Sequence, residues 1–285
     1  MDGSLPRKAS FAALAALLLA AWAAPSGAAS FASASVGPIS YQLIDLNPDD
    51  GIAPSITFLM PDQFNGGPGL SFAYTETEDT GTGLMDARSN TGFGWAPLSA
   101  NASVPGSWAS AAISGNGTPL GSTVSATGAS YGTAGGSEDY GKYFANMTTD
   151  AGFTLSPYTE VVFRAGVSLS ASVTYGTYND VWEEANAWGT FFVWPDDEVN
   201  IGSRMVRAVP SYWDQDPIDN VSFNGILTVS LANNSADELD GYFGSYAHAW
   251  GNSTAPVPEP ETWALLLAGL GIMGGVARRR RKRQA

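Results

Sequence analysis

The chain contains no cysteine. A disulfide framework and a thiolate metal site are both excluded, so the fold must be held together by its packed core alone. There is a single histidine, His248, which excludes a multi-histidine metal centre. A Ser-His-Asp arrangement would have to use it, and the flanking Ala247 and Ala249 offer no nucleophile-elbow context. Basic residues are scarce as well, 13 against 27 acidic ones, and eight of the 13 sit in the two terminal segments. Residues 30–255 keep only Arg88, Lys142, Arg164, Arg204 and Arg207 against 24 carboxylates, a net of −19. Nucleic acid is therefore not an expected partner, because phosphate contacts need a basic surface. Such an acidic surface suits solubility outside the cell and can attract divalent cations. No phosphate-binding or dinucleotide-binding glycine motif stands in a strand-turn-helix context.

The basic residues that the middle lacks are gathered at the C-terminus. Val257-Pro258-Glu259-Pro260-Glu261 precedes an uncharged apolar run over residues 262–277, which ends in Arg278, Arg279, Arg280, Arg281, Lys282 and Arg283. Two prolines make the Pro-Glu-Pro segment an extended, non-helical handle. The 16 residues of the run would reach about 24 Å as a helix, short for a bilayer, but snorkelling arginines and local thinning let such a helix span. The basic block then stays on the cytoplasmic side and Pro-Glu-Pro on the far side. An ordinary single-pass anchor is the competing reading, and Gly271 and Gly275 form a GxxxG pair that could dimerise it. A permanent anchor, however, needs no Pro-Glu-Pro handle and is usually longer.

This order of Pro-Glu-Pro, short Gly-rich apolar helix and terminal Arg cluster resembles the PEP-CTERM protein-sorting signal of Gram-negative bacteria. The resemblance covers residues 258–285 and no more. It implies that a membrane-embedded protease of the exosortase type recognises Pro258, Glu259 and Pro260, with Arg278 to Arg283 as the membrane-retention block. The tail would be removed and the preceding domain released or re-attached at the cell surface. The resemblance further implies company with exopolysaccharide and biofilm-matrix systems.

The N-terminus reads as the matching export signal. Arg7 and Lys8 precede an apolar stretch at residues 11–24, and Gly27-Ala28-Ala29 is a small-residue cleavage pattern, so residues 1–29 are expected to be a signal peptide cut after Ala29. Residues 30–251 are then the exported domain and residues 252–257 a polar linker. About 226 residues suffice for one large β domain.

Within that domain, Val161, Phe163, Ala165, Val167, Leu169, Ala171, Val173 and Tyr175 alternate with positions that include Arg164, Ser168, Ser170 and Ser172. Period-two alternation of this length predicts a strand with one buried and one wet face, as in an antiparallel sheet. Phe223, Gly225, Leu227, Val229 and Leu231 repeat it, and Tyr242, Tyr246, His248 and Trp250 suggest a third strand. Residues 233–237 between the last two are turn-rich and compatible with an antiparallel pair. Shorter strands are expected near 39–44, 55–60, 70–75 and 108–113. A helical hint at 180–188 has no convincing apolar face, and the Gly/Ser/Thr/Ala-rich residues 115–136 read as a long loop or a flat strand pair at an edge. The fold expected is all-β, an antiparallel, jelly-roll-like sandwich.

Two constellations could carry chemistry. Asp45, Asn47 and Asp49 place oxygens at alternate positions like the start of a calcium loop, but the sixth and twelfth positions are Asp50 and Ile56, so it fails as an EF-hand. Asx-Pro and Asp-Gly pairs favour a strand-connecting turn, with a calcium site of another design left open. Trp194 precedes Asp196-Asp197-Glu198, and Trp213 precedes Asp214, Asp216 and Asp219; with Trp182 these could stack on sugar rings while carboxylates accept from hydroxyls. A glycosidase would need two carboxyls about 5–9.5 Å apart across a cleft, a separation that sequence does not show. Six Asn-x-Ser/Thr sequons, at Asn101, Asn116, Asn146, Asn220, Asn233 and Asn252, carry little weight on an Asn- and Ser-rich surface of bacterial origin. The expectation is a non-enzymatic surface or extracellular protein with no obligatory cofactor, structural or exopolysaccharide-associated. The alternative is a carbohydrate-binding or calcium-assisted adhesive module, and the distant one a polysaccharide hydrolase.

Overall fold

The computed structural model describes residues 29–59, 70–131, 140–174, 183–195, 200–208 and 220–254. They form thirteen strands: β1 Ala29–Asp45, β2 Ile56–Phe58, β3 Leu70–Asp79, β4 Leu84–Phe93, β5 Leu98–Val104, β6 Ser107–Gly115, β7 Ser122–Tyr131, β8 Tyr140–Leu155, β9 Thr159–Val173, β10 Glu184–Trp194, β11 Asn200–Ala208, β12 Asn220–Asn233 and β13 Leu239–Thr254. One 3₁₀ turn, Pro119–Gly121, is the only helical element described. Among the described residues no helix is long and apolar enough to cross a membrane. The signal peptide and the apolar run at 262–277 lie outside the described residues.

Every strand pairing among the described residues is antiparallel. One sheet has six strands in the order β12-β9-β1-β7-β6-β5, the other seven in the order β11-β10-β13-β8-β3-β4, with β2 on β8. Alternation in β9 buries Val161, Phe163, Ala165, Val167, Leu169, Ala171 and Val173, as the sequence predicts. Burying one side of each strand leaves the sheets no solution but to face each other. Phe153 and Phe243 of the seven-stranded sheet meet Phe163 of the six-stranded sheet at 5.6 and 5.0 Å between centroids. The crossover from β4 to β5 is held by Trp95, buried and stacked on Phe243 at 6.2 Å, and by the Thr149 hydroxyl donating to the Gly94 carbonyl at 2.6 Å.

Four sequence expectations are revised. Residues 184–188 are not helical but open β10, whose Ala185, Ala187, Phe191 and Val193 line the core in strand alternation. Residues 122–131 are neither loop nor edge: β7 lies between β1 and β6 in the sheet interior. Its small residues are required by close approach, since a Cβ on Gly128 would stand 2.4 Å from Cδ2 of the buried Tyr143. β12 and β13 do not pair; β12 borders β9 in one sheet and β13 lies between β10 and β8 in the other. Residues 233–237 therefore carry the chain across the sandwich. Asn233 organises that corner, with Nδ2 donating to the carbonyls of Ser156 and Asp237 at 3.0 and 2.8 Å, and Oδ1 accepting from the Ser235 amide at 3.0 Å. In β13 the aromatic alternation that marks the strand in the sequence lies on its outward face, and Phe243, Ser245, Ala247 and Ala249 are the buried set. β13 also runs to Thr254, three residues into the stretch read as linker.

Candidate functional site

The two outward faces differ in chemistry. On the six-stranded sheet, register aligns Ser222, Ser170, Ser33, Thr127, Ser110 and Asn101 in one row across all six strands, a short-chain hydroxyl surface. On the seven-stranded sheet aromatic rings are interspersed among polar side chains. Register aligns Met205, Trp188, His248, Asn146 and Tyr74 in one row, and Arg207, Asn186, Trp250, Phe144 and Glu76 in the next.

Ring contacts knit that second face together. Phe72 stacks on Tyr74 at 6.3 Å, Tyr74 meets Phe144 edge-on at 5.7 Å, and Phe144 meets His248 at 4.6 Å. The Tyr246 hydroxyl and His248 Nδ1 are 2.6 Å apart, and Trp188 meets Tyr246 edge-on at 5.6 Å. Burial pushes the His248 imidazole down to about 4, because a proton there would be poorly solvated, and pushes the Tyr246 phenol up for the converse reason. His248 is therefore neutral at physiological pH. At one end of the face Trp194 stacks on Phe192 at 4.6 Å and on Tyr242 at 5.8 Å.

Charges on this face are mostly matched. Lys142 Nζ lies 3.1 Å from Glu78, and Arg207 Nε lies 2.7 Å from Glu184 Oε1, which also accepts from Asn186 Nδ2 at 3.0 Å. The Tyr74 hydroxyl donates to the Glu76 carboxylate, and this bond holds the Tyr74 phenol above its ordinary value. Asp150 is half-buried, which raises its carboxyl pKa against the opposing Leu70 amide.

Of the three tryptophans singled out from sequence, Trp194 is on this face, while Trp182 and Trp213 lie outside the described residues, as do Asp196, Asp197, Glu198, Asp214, Asp216 and Asp219. Trp188, Trp250, Tyr246, Phe144 and Tyr74 were not singled out for binding. The alternation of Tyr242, Tyr246, His248 and Trp250 marks only the β13 part of this face; Trp188, Phe144 and Tyr74 join it through strand register.

The loop at Asp45, Asn47 and Asp49 has turn geometry. Asp45 Oδ1 accepts from the Asn47 amide at 2.9 Å, the Asp50 amide donates to the Asn47 carbonyl at 3.1 Å, and Asp50 Oδ1 accepts from the Ile52 amide at 2.7 Å. Among the described residues no three His, Cys, Asp or Glu side chains are grouped to hold a metal ion.

The described strands end at Thr254, and the compact unit that contains them is bounded by Ala28 and Ala255. Immediately beyond that boundary the chain carries a known motif. Residues 256–282 match the family model of the PEP-CTERM protein-sorting motif. The match includes Pro258, Glu259, Pro260 and the basic residues as far as Lys282; Arg283 lies just past it. A PEP-CTERM motif is a C-terminal sorting signal on an exported protein, and it implies processing by an exosortase-type membrane enzyme. No curated protein matches the chain.

Proposed function

We propose that this protein is exported through the inner membrane behind residues 1–29, held transiently by residues 262–277, and processed near Pro258-Glu259-Pro260, so that the β-sandwich is displayed on or released from the cell surface. There it serves as a non-enzymatic, exopolysaccharide-associated component of the matrix. The observation that carries this reading is the position of the sorting motif directly after a compact all-β unit ending at Ala255. A sandwich without cysteine depends on neither disulfides nor a reducing compartment, which suits an exported load. The test is to follow the protein in a host that carries an exosortase-type enzyme. The full chain should yield a mature form lacking residues at both ends, and changing Pro258 and Pro260 to alanine should leave the unprocessed form in the membrane fraction.

A carbohydrate-binding module is the second reading, favoured by Trp194 and its stacked neighbours on an outward face. Calcium assistance has less behind it, because Asp45 and Asp50 already spend carboxylate oxygens on turn amides.

A further inference from the structure

We infer that the outward face of the seven-stranded sheet, centred on Trp188 and Trp250, binds an extended neutral polysaccharide. The inference rests on the carbohydrate-binding reading and gives it a site and a ligand class.

Trp188 and Trp250 are 41% and 37% exposed, on neighbouring strands and offset by two residues in register. Such diagonal positions lie about 7–8 Å apart, close enough for successive units of one chain to rest on both indoles. The rings beneath are already fixed by one another: Trp188 against Tyr246, Tyr246 bonded to His248, His248 against Phe144. Little side-chain entropy is lost on binding to a surface ordered in advance.

Polar groups are interleaved with the rings. Thr190, only 8% exposed and opposite Tyr246 in register, has a hydroxyl with no partner, and the same holds for His248 Nε2, Asn146 Oδ1 and Asn252 Oδ1. These atoms are covered, so a polyhydroxylated ligand, which can both donate and accept, would pair with the exposed groups beside the indoles, Ser203 of the groove next to Trp188 among them. Protein partners fit less well, since a stable interface wants a desolvated apolar centre rather than a half-polar platform.

Charge selects the class of sugar. Lys142 and Arg207, the cations on outward positions of this face among the described residues, are held by Glu78 and Glu184. Arg204, beside Ser203 and Met205 in the groove next to Trp188, is turned over the Phe223 ring at 5.6 Å, while Glu76 and Asp150 add negative charge to the face. An acidic polysaccharide would be repelled by this face and by a domain of net −19.

The test uses the full chain in detergent micelles, with retention measured on an insoluble neutral β-glucan, a neutral galactomannan and an acidic alginate. Retention on a neutral polymer and not on alginate is expected. Trp188→Ala and Trp250→Ala should each weaken it about tenfold, the scale of one lost aromatic contact, with partial recovery in Trp188→Phe. Ser33→Ala and Ser170→Ala, on the opposite face, should leave it unchanged, and near-UV circular dichroism should show all variants folded. Equal retention on alginate, or retention insensitive to both tryptophan changes, would overturn the inference while leaving carbohydrate binding in place. No retention on any polymer would overturn carbohydrate binding itself and leave the sorting reading untouched.

Discussion

Phe163 and Phe243 stack across the sandwich, with ring centroids 5.0 Å apart and planes 14° from parallel. Phe163 belongs to the six-stranded sheet and Phe243 to the seven-stranded one, so this pair fastens the two layers at their centre. Phe58, Phe153, Phe191 and Trp95 surround Phe243 within 6.4 Å. Phe243→Ala should therefore cost about 3–5 kcal/mol, the scale for a fully buried phenylalanine whose cavity cannot collapse. Urea unfolding of the purified chain measures it. A cost under about 1 kcal/mol would mean that the layers are joined elsewhere.

Tyr143 rests on Gly128 with no room for a methyl group between them. Gly128→Ala should lower stability by about 1–3 kcal/mol through overpacking. Adding Tyr143→Leu should recover part of the loss, because the two positions share one space and will not behave additively. Melting temperatures of the two single variants and the double variant decide the point.

The corner between β12 and β13 depends on one amide. Asn233 is buried and bonds to Ser156, Asp237 and Ser235 at once. Asn233→Ala leaves buried backbone carbonyls without a donor, and a loss of about 1–3 kcal/mol is expected. Hydrogen exchange should show the β12–β13 connection opening before the rest of the sandwich.

His248 makes stability depend on pH in a defined window. Burial lowers its pKa from 6.5 to about 4 in the folded chain, so between these values the unfolded chain binds the extra proton. Folding is then fully supported above about pH 6.5 and loses support as pH falls towards 4. Part of the ring reaches solvent, which reduces the effect to about 1–2 kcal/mol. The drop in melting temperature between pH 7 and pH 4 should be smaller in His248→Gln than in the parent chain.

How much of this was legible in the sequence follows from which residues make the pattern. β9 was readable because large apolar residues alternate with serine and arginine for its whole length. β7 was not, because Ala126 and Gly128 sit where the opposite layer comes too close for larger side chains, and small residues carry no hydrophobic periodicity. β13 is readable as a strand but not in its facing, since Tyr242, Tyr246 and Trp250 point outward while Phe243, Ala247 and Ala249 point inward. The pairing of β12 and β13 was suggested by a turn-rich connection, yet a turn specifies a reversal and not which sheet receives the chain. Trp194 could be found from its neighbours in sequence, whereas the platform around Trp188 and Trp250 exists only through the register of β10 against β13.

The sorting tail is the part whose function sequence states most directly, and its processing is the central claim. Intact-mass measurement of the protein recovered from the surface of a host carrying an exosortase-type enzyme tests it. The account predicts a species that begins near Ser30 and lacks the apolar run and basic block of residues 262–283. Recovery of a species that retains Arg278 to Arg283, with the change of Pro258 and Pro260 to alanine making no difference, would contradict it.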